Sequence, residues 1–364
     1  MTRPLDIVIL GLTLSSSWGN GHATTFRALI RGLDAEGHRV LFLERDMPWY
    51  ASQRDLPQPD FCEFALYDDL DAMLARYGNR LRAADAVIVG SYVPEGVRLI
   101  DQLAAIGLKQ LCFYDIDTPV TLAALDEGRE DYVATRQVLL FDTYFSFSGG
   151  EVLDHLELVR GARRAEALYC SVDPTAYPPD PQAAKQWDLG YLGTYSDDRQ
   201  PTLEELLLEP ARRRPDLRFV VAGPQYPDHI DWPANVERIE HLPPADHAAF
   251  YNAQRFTLNV TRAAMRRMGW SPSVRLFEAA ACGTPIISDD WRGLTDLLPA
   301  GDAIIIAQGT DDVLRALDLP EPRRLGIGAA GRNRVLSGHT GRARARELAR
   351  ALRTRVEAVA ATGT

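Results

Sequence analysis

Residues 259–298, NVTRAAMRRMGWSPSVRLFEAAACGTPIISDDWRGLTDLL, concentrate the groups in this chain best suited to hold an anion. Ser271 or Ser273 can cap a helix whose first turn then points free N–H groups at a ligand, and Pro272 suits such a start. Arg275 falls in that first turn and Arg262 precedes the loop. Guanidinium groups beside a helix N-terminus are fitted to a diphosphate. Glu278 lies one turn further on, where a carboxylate can accept bonds from the two hydroxyls of a ribose. Singly, each has a plainer reading: an exposed helix Glu, or arginines in surface ion pairs.

Two stretches in the first half carry groups for proton transfer. In SSSWGNGHATTFRAL (15–29), Gly19 and Gly21 permit close approach of a ligand to backbone, and His22 opens a helix at the edge of a sheet. A His has the right ordinary pKa to act as a base near neutrality, although a capping or positioning His is the alternative. In Asp115-Ile116-Asp117-Thr118-Pro119, two carboxylates at i and i+2 of an extended segment point the same way. Either can orient His22 or take a proton. The same Asp-x-Asp pattern can hold Mn²⁺ or Mg²⁺ against a diphosphate, and Asp117 can also simply cap the helix entered through Thr118-Pro119. The arginines of the second half make a metal unnecessary, so the metal-free reading is preferred. Gly149-Gly150 and the aromatic loop DMPWYASQRD are further places where a ligand can meet the chain.

Alternating strand and helix patterns position these groups. Apolar strand-like runs occur at 6–12, 39–46, 86–91, 110–117 and 144–150, separated by amphipathic segments such as TTFRALIRGLDAEGH. Runs apolar on both faces argue for parallel, doubly wound sheets. CSVDPTAYPPDPQAAKQWD, rich in Pro and without periodicity, reads as a linker. The alternation restarts with strands at 188–193, 217–223, FTLNVTR and 285–290. The tail GRARARELARALRTRVEAVA is an amphipathic helix with Arg on one side. Such a helix can lie on anionic lipid, but a packed helix with a solvated face is preferred.

Composition bounds the rest. At 364 residues the chain has room for two domains, and 40 basic against 50 acidic residues give a net charge of -10, which argues against nucleic acid as a partner. No apolar run approaches the roughly 20 residues that span a bilayer, and the N-terminus lacks a signal-peptide cleavage site. The four cysteines show no CxxC or metal spacing, which fits a reducing cytoplasm better than a disulfide framework or a zinc site. P-loop, GxSxG and HExxH motifs are absent from the sequence.

RLFEAAACGTPIISDDWRGLTDLL closely resembles the donor-binding segment of group 1 (family 4-like) glycosyltransferases with the GT-B fold. SSSWGNGHATTFRAL, FLERDMPWYASQRDLP, YDIDTPVTL, FSGG, LYCSVDPTAY and LNVTR extend the resemblance over most of the chain and, more narrowly, to the CgeB-like branch. The resemblance implies an α/β protein of two Rossmann-like domains facing a central cleft. The acceptor would bind in residues 1–172, followed by a linker at 173–187. Residues 188–340 would bind a nucleotide sugar, UDP- or dTDP-linked, and the helix at 341–364 is free to pack back on the first domain. Glu278 matches the second Glu of the family's paired-glutamate motif, which holds the ribose; Trp270 stands where the first would fall. Thr194 and Arg199 occupy a loop that approaches the donor phosphates, with Gly21, Arg262, Ser273 and Arg275. His241 and Leu242 occupy the place where backbone meets the nucleobase. His22 or Asp117 would act on the acceptor proton, with Trp18, Asp115 and Gly149 on the acceptor side. No metal or other cofactor is implied. The expected reaction moves a sugar to an acceptor hydroxyl, with retention implied by the resemblance, although a well-placed base would equally serve inversion. A nucleotide-sugar epimerase of the same fold and a non-catalytic nucleotide-sugar binder are the alternatives.

Overall fold

The computed structural model describes residues 3–18 and 21–362, with side chains to Thr354. Gly19 therefore lies outside the described residues. The chain divides into two compact units, Met1–Ser171 with Thr340–Thr364, and Val172–His339.

The first unit is built on seven parallel strands: β1 (Asp6–Gly11), β2 (Arg39–Arg45), β3 (Glu63–Tyr67), β4 (Ala86–Gly90), β5 (Leu111–Asp115), β6 (Thr143–Ser146) and β7 (Ala165–Ala167). Their order is β3-β2-β1-β4-β5-β6-β7. β4 (AVIVG) and β5 (LCFYD) are buried along their whole length, as strands covered by helices on both faces must be. The order reverses direction between β1 and β4, which makes the C-terminal ends of those strands the natural ligand crevice.

The second unit repeats the plan with six parallel strands: β8 (Trp187–Leu192), β9 (Phe219–Ala222), β10 (Val236–Ile239), β11 (Gln254–Asn259), β12 (Ile286–Ser288) and β13 (Ile305–Ile306), in the order β10-β9-β8-β11-β12-β13. Its reversal lies between β8 and β11. Leu189, Phe219, Val221, Phe256, Leu258 and Ile287 form the centre of its core. The Pro-rich segment at 173–187 counts with this unit. Asp180 N–H donates to Asn252 Oδ1 at 2.9 Å, and Lys185 Nζ donates to the Asn252 carbonyl at 2.6 Å.

The last helix, Gly341–Thr362, belongs to the first unit and lies against the helix His22–Ala35. Ala345, Leu348, Ala349 and Leu352 join Phe26, Leu29, Ile30 and Leu33 in one core. The two backbones touch: a Cβ on Gly341 would lie 2.1 Å from the Ala28 carbonyl oxygen, and one on Gly32 would lie 2.3 Å from that of Gly341. No helix among the described residues is long and apolar enough to cross a membrane.

Candidate functional site

In the first unit the loop leaving β1 is fixed by two carboxylates. Glu44, at the end of β2 and fully buried, accepts from the N–H groups of Leu14 (2.6 Å) and Ser15 (2.9 Å) and from the Ser15 hydroxyl (2.6 Å). Asp55 accepts from Ser17 N–H and hydroxyl, both at 2.9 Å, and takes a two-pronged ion pair from Arg27 at 2.8 Å. The Arg27 bonds hold the Asp55 carboxyl well below the usual range. Trp18 projects from this loop, 56% exposed. Gly21 is the N-cap of the helix that His22 opens, and a Cβ on it would meet nothing within 4 Å. Its φ of -88° is open to any residue, so open space, rather than an unusual backbone, characterises the position.

His22 is partly buried with its ring edge-on to Tyr92, centroids 5.2 Å apart, and burial lowers its pKa to about 4. Tyr92 follows the end of β4 with a left-handed backbone (φ 63°), and its hydroxyl donates to Asp117 Oδ2 at 3.1 Å. His22, Tyr92 and Asp117 thus gather at the C-terminal ends of the central strands.

Asp115 behaves differently from the expectation of two parallel carboxylates. β5 ends at Asp115, and the chain turns at once into the helix Thr118–Asp126, so the alternation that would pair i with i+2 stops there. Asp115 is fully buried, accepting from Thr121 and Tyr144 hydroxyls at 2.7 Å each and from Asp117 N–H at 3.3 Å. Burial raises its pKa to about 6. It is a brace for the turn that presents Asp117 and does not face an acceptor. Asp117 occupies the N-cap position, but its side chain makes no cap bond there. Gly149 is likewise buried, and a Cβ on it would lie 1.9 Å from the Tyr169 hydroxyl. Packing against Tyr169 accounts for that glycine.

In the second unit the C-terminal ends of β8 and β11 carry the anion-binding candidates. Ser273 is the N-cap of the helix Val274–Ala281, yet its hydroxyl donates to Asn259 Oδ1 at 3.0 Å instead of accepting from the helix. Ser271 donates to the Gly269 carbonyl, and Pro272 precedes the helix. The first turn therefore has no side-chain cap; the Leu276 N–H bonds the Ser273 carbonyl at 3.2 Å, which leaves the N–H groups of Val274 and Arg275 to a ligand. Arg275 Nη1 reaches Asn259 Oδ1 at 3.4 Å, its guanidinium lies 5.2 Å from the centre of the Tyr191 ring, and its buried Nε has no acceptor among the described residues. Arg262, exposed, is the N-cap of the preceding helix, Ala263–Met268. Arg199 is 8% exposed; it donates to the Thr194 carbonyl and to Ser196 Oγ (2.8 Å), and so braces the loop from within. Burial, with Arg275 and Arg262 nearby, lowers its pKa. Thr194 is exposed on that loop. Gly193 and Gly223 allow it to approach β9: a Cβ on Gly223 would lie 2.1 Å from the Gly193 carbonyl oxygen.

Glu278 is 6% exposed and accepts from the hydroxyls of Tyr177 (2.8 Å) and Tyr251 (3.3 Å). A carboxylate has about four acceptor sites, so two remain for a ligand. His241 and Leu242 lie just past β10, the His exposed and the Leu half-buried.

Several positioning residues were outside the sequence reading. Asn259, 1% exposed, links Ser273 and Arg275 to Thr261 (3.1 Å) and Ser288 (2.9 Å). Tyr177 and Tyr251 set Glu278, and Asp289 holds Thr261 at 2.9 Å. The only advance signal was the Asn-x-Thr triplet at the end of a strand.

Residues 199–350 match the glycosyl transferase-like family model. No curated protein sequence matches the chain. Among solved structures, sucrose-phosphate synthase from Thermosynechococcus elongatus is similar at 14% identity and TM-score 0.72, covering 97% of this chain and 100% of the other. The catalytic domain of starch synthase IV from Arabidopsis thaliana, bound to ADP and acarbose, gives 12% and 0.70 with coverage of 98% and 100%. Anabaena HepE in complex with UDP gives 13% and 0.68 with coverage of 96% and 100%. The chain thus carries a glycosyl transferase-like domain, and over its whole length it has the two-Rossmann GT-B architecture of these structures.

Proposed function

We propose that this protein is a glycosyltransferase of the CgeB-like branch. It moves a sugar from a UDP- or dTDP-linked donor to an acceptor hydroxyl without a resident metal. One observation carries the reading. At the strand ends of β8 and β11, Arg275 and Arg262 accompany a helix N-terminus whose cap residue is turned away to Asn259. Donors fixed in advance around a site where negative charge develops stabilise a leaving diphosphate at little reorganisation cost. Solved structures of the same architecture are bound to UDP or to ADP, which supports a nucleotide as the ligand.

Glu278, held by two tyrosines, orients the ribose, with Thr194 and the segment at His241 and Leu242 bordering the nucleotide. Binding energy remote from the reacting carbon then fixes the position of that carbon. His22 takes the acceptor proton, or Asp117 guides it, beside Trp18 and Gly21. We favour retention of configuration on the family resemblance.

A thermal-shift screen with UDP, dTDP, GDP, ADP and CMP, each with and without Mn²⁺, tests the reading. Ligand binding to the native state raises apparent stability with the logarithm of concentration over Kd. The expected result is a shift with one diphosphate that is indifferent to Mn²⁺ and lost in Arg275→Ala. A shift that needs Mn²⁺ and is lost in Asp117→Ala would replace this mechanism with a metal-assisted one.

A further inference from the structure

Beyond the ends of β11 and β12, wholly within the second unit, a cavity of about 660 Å³ opens among Arg266, Arg267, Asp290, Trp291, Arg292 and Thr295. Its size is within the usual range for small-molecule sites. The charge of its wall is unbalanced: three guanidinium groups face one lining carboxylate. Arg266 has a partial partner in Asp289, 3.6 Å away, but that carboxylate also holds Thr261. Arg267 is exposed and has no acceptor among the described residues.

The wall is built rather than incidental. Arg292 donates to the carbonyls of Arg267 and Met268 at 3.3 and 3.4 Å, and its guanidinium lies 5.3 Å from the centre of the Trp270 ring. Trp270 is in turn fixed: its indole donates to Asp296 at 3.0 Å and its N–H to the Arg292 carbonyl at 2.6 Å. Trp291 is 6% exposed, and its indole N–H has no acceptor among the described residues.

Two features select the ligand. The cavity wall also includes Ala263, next in the chain to Arg262, so it begins beside the diphosphate site proposed above. A sugar bonded to the distal phosphate is the part of a donor that reaches it. Guanidinium and indole groups only donate, and here they outnumber the acceptors, Asp290 and Thr295, whereas the hydroxyls of a neutral hexose ask for acceptors as well. A planar carboxylate only accepts, and it matches the guanidinium fork. We propose that this cavity receives an anionic substituent on the transferred sugar, the carboxylate of a hexuronate, and so sets donor specificity. The inference rests on the glycosyltransferase reading.

Calorimetric titration with UDP, UDP-glucose and UDP-glucuronate, or the dTDP counterparts if the screen selects that base, separates the two. The acid sugar is expected to bind at least about tenfold more tightly than the neutral one, the size of one charge-assisted hydrogen bond. In Arg267→Ala that ratio falls toward one, with nucleoside diphosphate binding as the check on the donor site. Equal binding of acid and neutral sugars would overturn the inference and leave the transferase reading intact. So would an Arg267→Ala variant in which all three ligands weaken alike, because the cavity would then serve only phosphates. Failure of every nucleotide to bind would overturn both.

Discussion

His22 offers the sharpest test of the first-unit chemistry. Burial against Tyr92 lowers its pKa from an ordinary 6.5 to about 4, a difference of about 2.5 units, each unit being about 1.36 kcal/mol. The folded state therefore disfavours the imidazolium. Above pH 6.5 His22 is neutral in both folded and unfolded chains and nothing is lost. As pH falls from 6.5 toward 4, the unfolded chain binds the proton first and stability declines. Between pH 7 and pH 4.5 the loss from this residue is at most about 2.6 kcal/mol, and about 2 kcal/mol once water at the partly exposed ring is allowed for. Urea unfolding of the wild type and His22→Gln at both pH values reads this difference directly. The variant should lose about 2 kcal/mol less than the wild type on acidification. An NMR titration of the His22 ring should place its midpoint well below 6. In turnover, a base held neutral by burial puts the acid limb of kcat/KM near pH 4 to 5, and His22→Gln removes most of kcat. A midpoint near 6.5, with identical pH dependence of stability in the two proteins, would refute the burial argument.

Two other perturbations probe the supporting frame. Glu278→Ala leaves the buried hydroxyls of Tyr177 and Tyr251 without their acceptor and should cost about 2–4 kcal/mol in urea unfolding, whereas Glu278→Gln keeps an acceptor and recovers part of it. Gly341→Ala drives a Cβ into the Ala28 carbonyl and should lower Tm by roughly 5–10 °C, corresponding to about 2–3 kcal/mol of overpacking; an unchanged Tm would mean that the two helices are not in contact.

The central strands were legible in the sequence and the edges were not. β1, β2, β4, β5, β6, β8, β9, β11 and β12 are buried apolar runs whose composition announces them. The four strands absent from the sequence reading, β3, β7, β10 and β13, are the four sheet edges. β3 and β10 carry Glu63, Glu237 and Arg238, because an edge need bury only part of its surface, and β7 and β13 span only three and two residues. At the site, Arg262, Arg275 and the helix start were readable as a spacing, but the expected serine cap does not form, because Ser273 turns to Asn259 and Ser271 to the Gly269 carbonyl. Asp115 and Gly149 were misplaced because their partners, Tyr144 and Tyr169, come from elements distant in sequence, which no local pattern encodes. The role of Asn259 was hidden for the same reason.

The return of the last helix to the first unit also orders the events of synthesis. Residues 172–339 form one uninterrupted stretch, so every strand of the second unit is available as soon as that stretch has left the ribosome. The first unit, although translated earlier, must wait. Phe26, Leu29, Ile30 and Leu33 share a core with Ile9 and Phe42 of the sheet, but that core is incomplete until Ala345, Leu348, Ala349 and Leu352 emerge. Gln110 Nε2, 3.4 Å from the Asp85 carbonyl, gains its nearer acceptor only with the Leu352 carbonyl, 2.9 Å away. Of the two units, the one translated earlier is thus the later to close. A nascent chain stalled or cut before residue 340 would present an apolar stripe to chaperones and proteases while its second half was already complete.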